Sequence, residues 1–502
     1  MRDNFFICYF FLFLIVIRIF INKISKLTEV YMRKAISTTL LGIITSLFLL
    51  VYSSTETKAQ EYNYRDAATG LNTIWEIIWG PDNYLWVTER PGRVQRVNPE
   101  TGEMKQVLDI TSDVITGSER GLMGMALSPT FSDDGYAYLS YTYQGNGTIV
   151  KIVRYKYNGT ELIEPAIILD NIMGAGNHDG CRLAFGPDGM LYITTGDAQN
   201  TSLAQTLTSL NGKVLRINPD GSIPDDNPYY GNKSLKNEIW SFGHRNPQGL
   251  VFHNGILYSS EHGPNTNDEL NIIEKDRNYG WPDVEGMCNE PLEIKYCETN
   301  NIKEPLAIYY QSSTLAVAGI AFYDVSDDAP YVIPEFQNSI LMTTLRTGIL
   351  MQIELSEEGM EVIEENNIIN NSYGRLRAVC VSPDGRVFFG TSNRDGRGQP
   401  DFLDSDRIVE ITSVKSSIEN KDKGSLFEVF PNPSFGSLNI KSTSNSISKV
   451  SIFDMLGNKM TEIALDPNSS HYLQTSDIVS GNYHLRIESG GQIENKIVNI
   501  IH

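Results

Sequence analysis

Between residues 61 and 414 the apolar and polar positions fall into a weak repeat. Its unit is an apolar pair, a Pro-Asp or Ser-Pro turn, and a run alternating with the two-residue period of a strand. The clearest copies are Trp79-Gly-Pro-Asp-Asn-Tyr-Leu-Trp-Val87, Leu127-Ser-Pro-Thr-Phe131, Phe185-Gly-Pro-Asp-Gly-Met-Leu-Tyr-Ile193 and Val381-Ser-Pro-Asp-Gly-Arg-Val-Phe-Phe389. Phe252-His-Asn-Gly-Ile-Leu-Tyr258 is a shortened one. Companion strands recur as Val94-Gln-Arg-Val-Asn-Pro99, Val214-Leu-Arg-Ile-Asn-Pro219 and Ile408-Val-Glu-Ile411. No long helical periodicity interrupts them. A unit of roughly 45 to 60 residues built from four short strands predicts an all-β body, a β-propeller of about six blades. Two stacked β-sandwiches would explain the strands but not their regular spacing.

The pattern changes at both ends. From Ser425, short alternating strands separated by turn residues predict a small β-sandwich over 425–502, joined to the body by a polar linker at 415–424. At the other end two apolar runs occur, Phe5 to Ile21 and Ile36 to Tyr52. Met32-Arg33-Lys34, Leu40 to Val51 and the small and polar residues ending at Ala59 and Gln60 have the anatomy of a secretory signal. Residues 1–60 are therefore expected to be an export segment, with translation starting at Met32 and a signal peptide at 32–60. A membrane anchor at 5–21 is the competing reading, near the lower length limit for a span. The mature protein then keeps no stable membrane span.

Charge and cysteine content narrow the partners. A formal net charge of −20 disfavours nucleic acid and anionic membrane surfaces. Cys288 and Cys297 lie close together in a loop and suit a small disulfide, as an exported chain allows. Cys181 and Cys380 sit in apolar runs and read as buried thiols.

In so acidic a chain, clustered arginines stand out. Ile239-Trp-Ser-Phe-Gly-His-Arg-Asn-Pro-Gln-Gly-Leu-Val-Phe252 places a dense polar loop, with Arg245 and Asn246, between two apolar strands. Three further loops resemble it in placement. Gly176-Asn-His-Asp-Gly-Cys-Arg182 precedes a strand that ends at Thr195-Gly-Asp197. Glu261-His-Gly-Pro-Asn265 is followed by Asp268, Glu269 and Gly280-Trp-Pro282. Arg346 lies in Thr343-Thr-Leu-Arg-Thr-Gly348, and Arg375 with Arg377 would share one strand face. Converging arginines suit a small, multiply anionic ligand held by forked guanidinium contacts.

These motifs resemble those of the soluble pyrroloquinoline quinone (PQQ)-dependent sugar dehydrogenases, the glucose/sorbosone dehydrogenase family, over roughly residues 70–412. The resemblance implies a six-bladed β-propeller that binds PQQ and Ca2+ and oxidises the anomeric carbon of an aldose sugar, passing electrons to an external acceptor. It implies His178 as general base, Asp197 as its carboxylate partner and Arg245 as the cation that stabilises charge on the quinone. Asn246, His262, Arg346, Arg375 and Arg377 match cofactor contacts. Gly263 and Pro264 match the carbonyls that hold the catalytic calcium, and Glu269 with the carbonyl of Tyr279 a second, structural calcium. Phe430-Pro-Asn-Pro-Ser-Phe-Gly436, Val450-Ser-Ile-Phe-Asp-Met-Leu-Gly457 and Ile478-Val-Ser-Gly-Asn-Tyr-His-Leu485 resemble the C-terminal sorting domain of the type IX secretion system. That implies a secreted or cell-surface protein with the type IX machinery as partner.

The sequence departs from the glucose enzymes at Glu119, a sugar-contacting position where they carry glutamine, at Asn177, where they carry aspartate, and in a shorter loop after Gly286. The departures leave the redox chemistry in place and set glucose itself in question. Two other functions compete: a calcium-dependent lactonase-type hydrolase, which needs a carboxylate cage rather than arginines, and a surface sugar-binding or adhesion module without catalysis.

Overall fold

The computed structural model describes residues 62–501 apart from 290, 310–312, 403–405, 414–426, 431–433, 436, 445, 455–458, 476–477 and 490–491. The expected export segment at 1–60 and linker at 415–424 lie outside the described residues. The chain divides into two compact units, Met1–Thr412 and Ser413–His502.

Among its described residues the first unit is nearly all-β, and the strands form six four-stranded sheets. Each of the first five sheets uses four strands consecutive in sequence. They begin at Ile74–Trp79, Leu122–Leu127, Gly180–Phe185, Pro247–His253 and Val317–Tyr323. The sixth begins at Leu376–Val381, and its fourth strand comes from the other end of the chain: Tyr62–Leu71 lies beside Asp406–Ser413. The first strand of each sheet packs beside the first strand of the next, and the sixth returns to the first.

Two parts of the repeat turn out to be partners. In two of the three Pro-Asp turns the aspartate receives the arginine of the companion strand: Arg96 Nε donates to Asp82 at 2.6 Å, and Arg216 Nε to Asp188 at 3.0 Å, whereas Asp384 pairs with Arg386 two residues on. The second strands, such as Leu85–Glu89, Leu191–Thr195 and Val387–Thr391, are buried at every position. They therefore lack the one-sided alternation of a half-exposed strand, because neighbouring sheets cover both faces. Polar residues survive there by reaching across. Thr88 Oγ1 donates to the Met123 carbonyl, Ser140 Oγ to Cys181, Thr194 Oγ1 to Pro247 and Ser260 Oγ to Ala318, each a bond from one sheet to the first strand of the next.

The second unit holds a three-stranded sheet (Phe427–Phe430, Ser437–Ser442, Ser470–Gln474) and a five-stranded one centred on Gly481–Ser489. Phe427, Leu438 and Ile440 of the first share a core with Val450, Ile452, Leu485 and Ile487 of the second. The Cys288–Cys297 disulfide forms, and Cys181 and Cys380 are free and buried. No helix among the described residues is long and apolar enough to cross a membrane.

Candidate active site

His178 sits in the loop that enters the first strand of the third sheet, with φ +65°. A non-glycine residue in this left-handed region is uncommon and marks a conformation held by its surroundings. The holding contacts are specific. The His178 N–H donates to Glu119 Oε2 at 3.1 Å, and its carbonyl accepts from Ala198 N–H at 3.1 Å. Gly196 makes the close approach possible, since a Cβ there would lie 2.0 Å from the His178 carbonyl oxygen. His178 Nδ1 is 2.8 Å from Asp197 Oδ1. Asp197 is fully buried, while the imidazole keeps 19% of its side-chain surface exposed. Nε2 has no partner among the described residues.

Beside this pair lies the loop between the third and fourth sheets. Glu261, at the end of a strand, organises it: its carboxylate accepts the backbone N–H groups of Arg245 and Asn246 and faces His244 Nδ1 at 2.9 Å. The Arg245 carbonyl accepts the Asp197 N–H at 2.8 Å, so the two loops are stitched together. Arg245 Nη1 donates to the His262 carbonyl at 3.2 Å, and its guanidinium lies 5.4 Å from the Trp281 ring centroid. Gln248 then links onward, donating to Asn246 Oδ1 at 3.0 Å and accepting from Arg377 at 2.9 Å and, through its carbonyl, from Arg182 Nε at 2.7 Å. Arg182 also pairs with Glu76 at 2.5 Å.

This connected group is short of acceptors. Arg245 Nε, Asn246 Nδ2, His262 Nε2, Arg377 Nε and Arg182 Nη2 are all buried with no hydrogen-bond partner. Burial lowers the pKa of Arg245, of His262 and, most strongly, of Arg377, where Arg90 and Arg375 add like charge against Asp395. Buried N–H groups are seldom left unpaired, and each costs about 1–3 kcal/mol. An anion rich in acceptor oxygens would relieve them together, which is the chemistry of a polycarboxylate quinone.

The remaining expected residues divide. Arg375 joins the group through Asp395, which it meets at 2.7 Å, and it also donates to the Leu345 carbonyl. Arg346 does not join it: the residue is exposed, and its guanidinium meets no partner among the described residues. Glu119 is held by Arg397 at 3.0 Å. Burial acts to raise the Glu119 pKa, but His262, the His178 N–H, Arg377 and Arg397 outweigh it and hold it low. Gly263, Pro264, Glu269 and Tyr279 line one small cavity with Glu261, next to Arg245. There Glu269 is pushed up to about 8, first by burial and then by the charges of Glu261 and Asp268. The carboxylates of Glu261 and Glu269 in one cavity suit a hard cation. Among the described residues, however, no three His, Cys, Asp or Glu side chains are placed to form a metal cage of their own.

Several contributors escaped the sequence reading. Arg397 donates to Ser118 Oγ at 3.1 Å and to Asn177 Oδ1 at 2.9 Å as well as to Glu119. Its loop, Asn393-Arg-Asp-Gly-Arg-Gly398, has the glycine and charge density that singled out the other loops. Gln248 and Glu261 were inside quoted motifs without a role. Arg182 closed a quoted motif likewise without a role, and Glu76 gave no signal, being a single charge in an apolar strand.

A family model described as glucose/sorbosone dehydrogenase matches residues 71–403. The chain belongs to that family. As in its PQQ-dependent sugar dehydrogenases, the body is an oxidoreductase. A relative named quinoprotein glucose dehydrogenase B, from Acinetobacter calcoaceticus, is 31% identical over 426 residues, covering 68% of this chain and 88% of that protein. An aldose sugar dehydrogenase of Escherichia coli is 31% identical over 65% of this chain and 89% of its own length. Among solved structures, the PQQ-bound aldose sugar dehydrogenase of Streptomyces coelicolor is 33% identical with a TM-score of 0.59, covering 70% of this chain and 98% of that one. A second model, a secretion system C-terminal sorting domain, matches residues 428–501. In this family member the tail is thus a sorting domain, as its three motifs led us to expect.

Proposed function

We propose that the protein is an exported dehydrogenase that oxidises the anomeric carbon of an aldose, or a related alcohol, to a lactone, using PQQ and calcium. In this reading the six sheets are the blades of a six-bladed β-propeller at 61–414. The tail at 425–502 is a small β-sandwich read by the type IX machinery, and a signal peptide at 32–60 brings the chain to it. The mature protein works outside the cell and passes electrons to an external acceptor.

When bound, PQQ supplies the acceptor for the substrate's hydride. The chain supplies the rest. His178 Nε2 takes the anomeric hydroxyl proton, and Asp197 orients the ring and stabilises the imidazolium. Arg245 offers a fixed cation where negative charge develops. Asn246 and His262 donate to acceptor oxygens, while Arg377, Arg375 and the exposed Arg346 neutralise carboxylates. The carbonyls of Gly263 and Pro264 would hold one calcium, and Glu269 with the Tyr279 carbonyl a second. Glu119, clamped by Arg397 beside the His178 loop, faces the sugar.

One observation carries the reading: a histidine oriented by a buried aspartate, with Nε2 free, stands beside four buried N–H donors that have no acceptor and a buried, unpartnered ring nitrogen of His262. PQQ titration by absorbance, run alongside turnover on aldoses with an artificial acceptor, tests it. His178→Gln should bind PQQ as wild type does and lose about 10²–10⁴-fold in turnover. Arg377→Ala should weaken PQQ uptake and keep residual turnover at saturating cofactor. Full activity in His178→Gln would reduce the site to a PQQ-binding surface.

A further inference from the structure

A base at Nε2 requires the proton of a neutral imidazole to sit on Nδ1, and a histidine's neighbours decide that. Around His178 the deciding group is the Asp197 carboxylate, and an indole helps to orient it. Trp281 Nε1–H donates to Asp197 Oδ2 at 2.9 Å, while the Gln199 N–H donates to Asp197 Oδ1 at 2.8 Å. Neither an indole nor a backbone amide can accept, so both carboxylate oxygens act as acceptors. His178 Nδ1, 2.8 Å from Oδ1, is then the donor, and Nε2 keeps its lone pair. The other charged groups near His178 address its backbone or its loop: Glu119 takes the backbone N–H, and Arg397 reaches Glu119 and Asn177.

Trp281 is itself rigidly placed. Its backbone N–H donates to the Gly243 carbonyl at 3.0 Å, and its backbone carbonyl accepts from Gln205 Nε2 at 2.8 Å. The same ring lies under the Arg245 guanidinium at 5.4 Å. One indole thus touches both the carboxylate partner of the proposed base and the proposed cation.

We infer that Trp281 is a positioning residue, whose N–H holds the Asp197 carboxylate in the plane that keeps His178 in its Nδ1–H tautomer. The inference rests on the proposed role of His178 for its consequence in turnover, but the tautomer can be read without cofactor. The test uses cofactor-free protein labelled with 15N at histidine, with the His178 ring signals assigned by their loss in His178→Gln. Wild type shows the Nδ1–H tautomer. Trp281→Phe, which keeps the ring and drops the donor, shows a mixture of tautomers, and Trp281→His, which restores a ring N–H, returns toward wild type. In PQQ-loaded protein Trp281→Phe lowers kcat about 100-fold, the cost of a misplaced catalytic group, with KM and PQQ uptake within about twofold.

Wild-type ring shifts in Trp281→Phe overturn the inference, and so does a loss of PQQ uptake above about tenfold, which would mark general damage to the site. If His178→Gln turns over normally, the proposed function fails while the tautomer result stands. If His178→Gln is inactive and Trp281→Phe keeps both its shifts and its kcat, the inference alone fails.

Discussion

Asp179 follows His178 directly, and its carboxyl is buried with Oδ2 unpartnered. Burial, with the charge of Glu119 added, pushes its pKa up to about 7 against the pull of the Ala175 N–H and Arg120. The folded protein therefore keeps a proton that the unfolded chain releases near the ordinary aspartate value of 3.8. That stabilisation is complete below the unfolded value and is lost as pH rises through the folded one. Asp179→Asn should flatten the fall in thermal midpoint between about pH 4 and pH 7 and leave the variant the more stable near neutrality. Parallel melting curves across that range would show that the carboxyl holds no such proton. At this scale the sequence was legible where the candidate residues lie in contiguous motifs, as with His178, Arg245 and Asn246, whose loops the structure brings together. It was not where a contact joins distant loops: Trp281 reaches Asp197 across 84 positions and Arg397 reaches Glu119 across 278. Spacing along the chain carries no trace of such pairs.

Strands were easier to foresee than the way their faces are used. The Pro-Asp turns and the companion strands marked the repeat because both are local patterns. Burial of the second strands on both faces follows from sheets packing on sheets, which no single strand can reveal. Four serine and threonine hydroxyls fasten one sheet to the next, at 2.7 Å for Thr88, 2.9 Å for Ser140, 3.0 Å for Thr194 and 2.5 Å for Ser260. Each substitution among Ser140→Ala, Thr194→Val and Ser260→Ala should cost about 1–2 kcal/mol by leaving a buried carbonyl unpaired. The three lie between different pairs of sheets, so their costs should add. Urea unfolding of the singles and the triple checks this, and a triple no weaker than one single would contradict it.

For the whole molecule, the feature that the repeat did not announce is how the ring shuts. Tyr62–Leu71 supplies the outer strand of the sixth sheet. Arg407 pairs with Asp66 at 3.0 Å, and the Thr73 N–H donates to Asp406 at 2.6 Å. Arg65 also pairs with Glu410. A chain ended at Ser413 should fold and take up PQQ, because the first unit has its own cores, while losing export through a type IX system. A chain ended at Ser405, eight residues shorter, lacks the strand that Tyr62–Leu71 needs and should aggregate through the edges left bare. Equal solubility and cofactor uptake in the two would show that the closing strand is dispensable. The placement of that strand also imposes an order in time. The ribosome makes the first half of the clasp before any sheet and the second half after almost all of them, and the sorting domain only then. A polypeptide cut short before Asp406 therefore lacks both its closing strand and its address, and no chain carries the address without also carrying the means to shut its own ring.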